Sequence, residues 1–476
     1  MSSNSISDLP RPVNGDVRSF IIPPTFSIRE VDGRRGGPGR GRGPPGRGPD
    51  FPDRGPGFPD RGPGFPDRGA PGPQIPIDPP KPIPEDSQPV EDTTLGPILG
   101  KFVGTFKGTG MNTIFRPNSN FGTNLSLDNL LEINLTSETL QFMSGNVLGD
   151  VPNRGFDNQP DVFLRGVPYT QIISDKLNQD TGKADLPDKG DGKPGPHAVD
   201  IHFEQGLFMR TPATNSPAVP GATISRMGSI PHGTTINAQA FEPTQVITGK
   251  PDIKDVKIIP FLIGAQASEV QFANMQVPGD ITGQGLRKPS NLEPFIKQGT
   301  LSIETVNNPN KILRDINEKK NIVSHLTFTV TTRPTDALPG GGVANIGFLL
   351  SGPKSNPGGS VPGNANAVGV TCQYWVSTVL HDLVIKAGEY DKQPKDLDIL
   401  PEETKQGISA PKFRVQLRKK VSKDTTIQVP STQIQYSQNV TLDFGVLSWP
   451  HISVATLIPS QPLLVTADSP LLASLK

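Results

Sequence analysis

Three of the chain's 6 histidines follow a proline, and two of them stand in strand-like settings, at Pro450-His451-Ile-Ser-Val-Ala-Thr-Leu457 and at Pro231-His232-Gly-Thr-Thr-Ile236. An imidazole on a strand that lines a cavity can ligate a metal ion or exchange a proton near neutrality. A Pro-His step can equally do no more than begin a strand, since proline is tolerated there. Both readings stand for His451 and His232. The other histidines, His197, His202, His325 and His381, fall in a polar insertion, at strand starts or before a charged loop, where solvation or ordinary hydrogen bonding is expected.

Most other chemistries lack their spacing. The chain holds no Gly-x-Ser-x-Gly elbow, no phosphate-binding glycine loop ending in Gly-Lys-Ser/Thr, no His-Glu-x-x-His and no calcium-loop pattern. The run Gly340-Gly-Gly-Val-Ala-Asn345 fails as a dinucleotide fingerprint because Asn345 stands where the third glycine is required. A single cysteine, Cys372, excludes an intramolecular disulfide, a cysteine-rich zinc site and covalent haem attachment, and is expected as a small buried apolar residue. Lys+Arg and Asp+Glu balance at 46 each, so no global charge draws the chain to DNA or to an acidic membrane. The N-terminus lacks a basic then apolar leader, and no run reaches the roughly 20 apolar residues of a membrane helix. The expected location is the cytoplasm.

These residues must be positioned by strands. In Lys101-Phe-Val-Gly-Thr-Phe-Lys-Gly-Thr-Gly110 the residues Phe102, Gly104, Phe106, Gly108 and Gly110 recur at period two, a strand whose glycines let something bulky approach the backbone. Many further short β-type runs, among them His202–Met209, His325–Thr332, Val368–Val379, Gln433–Phe444 and His451–Ile458, are punctuated by Gly, Pro and Asn. The fold class expected is mainly β, an antiparallel barrel enlarged by insertions. One helix is expected from Asn308 with Pro309 in its first turn. Asp175–Asp200 and Asp391–Lys405 read as surface loops, and Phe241–Pro294 as a junction between two β halves, 95–240 and 295–460. Residues 461–476 read as a tail. Residues 1–94 read as a disordered Gly/Pro/Arg-rich segment carrying Phe-Pro-Asp-Arg-Gly-Pro-Gly repeats from Phe51 and Phe58, either a spacer or a weak RNA or protein contact.

Gly104-Thr-Phe106-Lys-Gly108-Thr-Gly110, followed by Phe115-Arg116-Pro117, resembles the opening strand of nitrobindin-like haem-binding β-barrels, with Phe106 where that family has tryptophan. Gly445-Val-Leu-Ser-Trp-Pro-His451-Ile-Ser-Val-Ala-Thr-Leu457 resembles the family's final strand. Leu131–Leu140, Arg226–Thr235 and Gly340–Asn345 resemble longer bacterial and fungal haem-binding sequences, so that the likeness spans Leu95 to Ile458. The resemblance implies a non-covalent haem b with His451 as the iron ligand; the chain is far longer than a small barrel of that family, and this departure makes His232 a candidate second pocket residue. The resemblance also implies nitric oxide or peroxide-type ligand chemistry, with weak peroxidase or peroxynitrite-isomerising turnover as the associated activity.

A haem pocket needs a dry slot, a neutral imidazole and a partner for its second nitrogen. Phe102, Phe106, Met111 and Tyr436 are candidate walls or, taken singly, ordinary core, and Arg116, Arg154 and Arg226 could pair with the propionates or simply face solvent. Two other functions fit the same barrel: a carrier of a fatty acid or other apolar small molecule, and a structural or interaction protein with no ligand.

Overall fold

The computed structural model describes residues 95–117, 129–143, 148–155, 159–176, 199–215, 218–219, 221–231, 233–264, 287–288, 296–297, 299, 301–333, 341–346, 365–444 and 447–475. His232 and the N-terminal repeats lie outside them. The chain divides into Met1–Asp78 and Pro79–Lys476, and the described residues all belong to the second unit.

Ten antiparallel strands close into a barrel: β1 (Gly104–Pro117), β2 (Asn129–Phe142), β3 (Val162–Asp175), β4 (Val199–Thr211), β5 (Thr223–Ser229), β6 (Thr234–Phe241), β7 (Ile322–Thr331), β8 (Asn366–Ile385), β9 (Thr425–Phe444) and β10 (Leu447–Pro459). The order around the wall is β7-β8-β9-β10-β1-β2-β3-β4-β5-β6, and β6 meets β7 to close it. Of the two arrangements the sequence leaves open, one barrel enlarged by insertions and two β halves, the strand pairing forms one barrel. Its first and last strands are neighbours, with Phe106 opposite Pro459 and Ile114 opposite His451. A Cβ on Gly108 or Gly110 would lie 1.8 or 2.0 Å from the carbonyl oxygen of Thr456 or Val454. The bulky thing these glycines admit is the β10 backbone.

The even-numbered residues of β1 face inward and its odd residues outward, as period two requires. Phe106 joins a core with Phe142, Tyr169, Phe208, Phe328, Tyr374, Tyr436 and Leu457. One end of the lumen is stopped by a single-turn helix, α1 (Gly96–Leu99), whose Leu95, Ile98 and Leu99, with Phe102 just after it, are fully buried. Four residues cannot hold a helix alone, so burial in the barrel stabilises the turn. Ring centroids of Phe102 lie 4.8 Å from Phe142 and 5.6 Å from Phe208, and Phe328 stacks on Tyr374 at 5.0 Å. Side chains fill this half of the lumen.

Met111 points the other way. It is buried in a cluster on the outer wall with Phe115, Ile133, Trp375, Trp449 and Val454. That cluster is roofed by Ile253 and Ile258 and by two helices, α2 (Ile303–Asn307) and α3 (Asn310–Glu318). Ser302 caps α2, its hydroxyl accepting from Thr305 N while Thr305 Oγ1 accepts from Ser302 N at 2.8 Å. In α3 the buried residues are Asn310, Leu313 and Asn317, spaced for one helical face. The expected helix from Asn308 is thus found, with Pro309 immediately before its first residue.

β8 and β9, 20 residues each, run on past the barrel as a long hairpin. A third core forms on it from Leu383, Ile385, Phe413, Val415, Val429, Val465, Leu472 and Leu475. Residues 461–476 are accordingly no tail, because Leu463–Val465 pairs in parallel with Phe413–Leu417. Nor is Asp391–Lys405 only a loop, since Lys395–Ile399 is the other neighbour of that strand. No helix among the described residues is long and apolar enough to cross a membrane.

Candidate functional site

Above the aromatic half, the lumen turns polar. Arg226 of β5 and Glu204 of β4 form a buried ion pair, with Nη2 2.7 Å from Oε2 and 2.9 Å from Oε1. Arg226 Nη1 also donates to Tyr374 Oη at 3.1 Å and to Gln438 Oε1 at 2.6 Å, and Tyr169 donates to Glu204 Oε1. His202 Nε2 stands 3.3 Å from Glu204 Oε2. Space for this network comes from a glycine, because a Cβ on Gly228 would lie 2.3 Å from Glu204 Oε1.

A second carboxylate sits beside it. Glu138 of β2 accepts from Gln171 Nε2 at 2.7 Å and from Tyr436 Oη at 2.6 Å, and among the described residues no cation pairs with it. The two acids diverge for that reason. Burial pushes Glu138 up to about 7, its hydrogen bonds only partly opposing this. Burial also acts to raise Glu204 and is the largest single influence, but the Arg226 charge, His202 and the Tyr169 hydrogen bond together outweigh it and hold that carboxyl down at about 2. Burial likewise pushes the Cys372 thiol up to about 12, leaving it an inert apolar filler.

Further toward the end opposite α1 the inward row continues through Asn112, Asn134 and Ser453, with Asn134 Nδ2 donating to Asp175 Oδ2 at 2.8 Å. Two residues beyond Ser453 comes His451. The ladders set it opposite Ile114 on β1 and Val440 on β9, on the lumen-facing side of the wall, half-buried. Past Pro450 the alternation breaks, and Trp449 and Leu447 belong to the outer cluster. His451 thus occupies the rim of the barrel.

The residues singled out from sequence do not converge. Phe102 and Phe106 lie in the packed core near α1, Tyr436 is at mid-lumen on Glu138, Met111 is on the outer wall, and His451 is at the rim. Arg116 is on β1 opposite Leu130, two residues beyond Ile114. Arg154 is exposed and paired with Asp161, and Arg226 is spent on Glu204, so neither awaits a propionate. Among the remaining histidines, His325 is buried with Nδ1 2.8 Å from the Gly249 carbonyl, and His381 is buried on the outer wall. Sequence reading missed Glu138, Glu204 and the role of Arg226. The signal was there, since each sits at an inward position of its strand, but a strand's inward face is fixed only by its neighbours.

For a haem the donor chemistry fits at one atom: an imidazole at the rim, beside the apolar side chains of Ile114 and Val440. Among the described residues, no three of His, Cys, Asp or Glu gather as a cluster able to hold a bare metal ion. Open grooves are found elsewhere, the larger of about 410 Å³ between Pro160, Phe163, Arg165, Arg210 and Asn215.

No family model matches the chain, and no curated protein matches it. A solved structure, "Crystal Structure of Rv2717c from M. tuberculosis", aligns over 76% of this chain and 95% of that one, at 10% identity and a TM-score of 0.24. A superposition that loose supports nothing about this chain.

Proposed function

We propose that the rim of the barrel binds a non-covalent haem b, with His451 as the iron ligand. The observation that supports it is the register of β10, which aligns His451 with Ile114 and Val440 on the lumen side at the end away from α1. When bound, such a haem supplies an iron able to take small ligands of the nitric oxide or peroxide type. The chain's own part is then to offer one neutral imidazole nitrogen, to give the ring apolar neighbours, and to stop water from reaching it through the lumen below. Phe102, Phe106, Phe142 and Phe208 meet that last need by closing the opposite end. An acyl chain running down the lumen has less support, because the same rings occupy the path it would take.

Hemin titration with visible spectroscopy tests the reading. Wild-type protein is expected to saturate at one equivalent, with a Soret band shifted from that of free hemin by the axial imidazole. His451→Ala is expected to lose that band or shift it and to bind about a hundredfold more weakly, the scale of losing the group that holds the metal. An unchanged Soret band in the variant removes His451 from the role.

A further inference from the structure

On the outer wall, away from the rim, three side chains form a hydrogen-bonded chain. Ser431 Oγ of β9 lies 2.7 Å from His381 Nε2 of β8, and His381 Nδ1 lies 2.5 Å from Glu403 Oε1. Glu403 belongs to the 3-10 turn Glu402–Gln406, which ends at Gly407 in the left-handed conformation. With the carboxylate ionised, Nδ1 must carry the ring proton, so Nε2 is the acceptor and Ser431 the donor. That is the order of roles in a hydroxyl activated by an oriented base, recognised by geometry and not by chain position. Burial lowers the His381 basicity against the pull of Glu403 and Asp382, with Lys320 pushing the same way as burial, so the ring is neutral at pH 7.

A second observation comes from the facing strand. Ser377, 1% exposed, stands directly opposite Gln433 and diagonal to Ser431, and its Oγ is buried without a hydrogen-bond partner. Lys320 Nζ donates to Gln433 Oε1 at 2.8 Å, bringing a cation to the same row. An unspent hydroxyl and an ammonium beside an activated serine are donors suited to an oxygen that gains charge. The ladder between β9 and β10 ends at Ile434–Leu457, so the β9 edge alongside Ser431 has no β10 partner, and its neighbour Pro430 is exposed.

We propose that Ser431 is an acylable nucleophile, with His381 as its base and Glu403 as the residue that positions the base, acting on small activated esters. In the step, Ser431 Oγ bonds to the ester carbonyl carbon and its proton passes to His381 Nε2. The bond to the alcohol oxygen breaks, and the alcohol leaves with that proton. Water repeats the sequence, releasing the acid and restoring the serine.

The experiment treats the full chain with diisopropyl fluorophosphate, in which the serine oxygen displaces fluoride from phosphorus, and reads intact mass and peptide maps. One adduct on Ser431 is expected, absent in Ser431→Ala. Its rate should rise with pH along one protonation midpoint lying below that of an ordinary histidine, near 6.5. Glu403→Gln, at a partly exposed position, and His381→Gln should slow labelling about a hundredfold. The pH profile needs only the wild-type protein, so a variant that fails to fold does not weaken the test. No adduct at Ser431, under conditions that fully label a control serine esterase, overturns the proposal. So does a pH-independent rate, or an equal rate in folded Glu403→Gln.

Discussion

Glu138 and Glu204 share one lumen and pull the pH dependence of stability in opposite directions. Glu138, at about 7 in the fold against an ordinary 4.5, stabilises the folded state fully below pH 4.5, and that contribution is lost as pH rises through 7. Glu204, at about 2, contributes fully above pH 4.5 and loses its contribution as pH falls toward 2. A gap of this size is worth about 3 kcal/mol once fully open. Glu138→Gln should therefore leave the melting temperature near pH 5 little changed and raise it at pH 8 relative to wild type. Melting curves from pH 4 to 9 check this, and parallel curves for the two proteins would contradict it. Arg226→Leu strands the Glu204 charge in the lumen, and a loss of about 3–5 kcal/mol by denaturant unfolding is expected. From sequence, Arg226 looked like a surface or propionate-pairing arginine. Nothing local marks it as buried, because its partners Glu204, Tyr374 and Gln438 come from three other strands.

At the scale of elements, what was legible were those with their own period: β1 from its alternating Phe and Gly, α3 from Asn308-Pro309, and the long C-terminal strands. What was not legible lacks a period. The four-residue α1 carries no helical pattern and exists only because the barrel receives Ile98 and Leu99. Leu99→Ala should consequently cost about 2–5 kcal/mol, measurable by chemical denaturation, although the helix is a single turn. Leu463–Val465 and the turn Pro470–Leu472 are equally silent in sequence, being short and polar-flanked. Truncation after Ser460 removes Val465, Leu472 and Leu475 from the third core, and burial of about 1.5–3 kcal/mol each predicts a loss of several kcal/mol. A truncated chain that melts with the full one would show that core to be dispensable. The side taken by Met111, pocket wall or core, was not legible because its period matches either side of a strand, and only the helices above it decide which side is covered.

For the whole molecule, composition and strand count gave an antiparallel β body, and the structure makes it a closed barrel of ten strands. Closure itself was not readable, since the pairing that completes it joins segments far apart in the chain. The same logic governs the rim. His451 was chosen from sequence by resemblance, and the register of β10 gives it a lumen-side seat, whereas the walls chosen with it are distributed over the core and the outer surface. Loss of hemin binding in His451→Ala with an unaltered melting temperature would separate the rim's role from the barrel's integrity.

The meeting of β6 with β7 rests on one register pair, Thr331 with Gln239, and the short strand Gly342–Asn345 covers the rest of β6 alongside Thr234–Asn237. Every other junction of the ten is a ladder of at least seven pairs. Such a cylinder has one stave joint that yields before the others, and deuterium should enter there first.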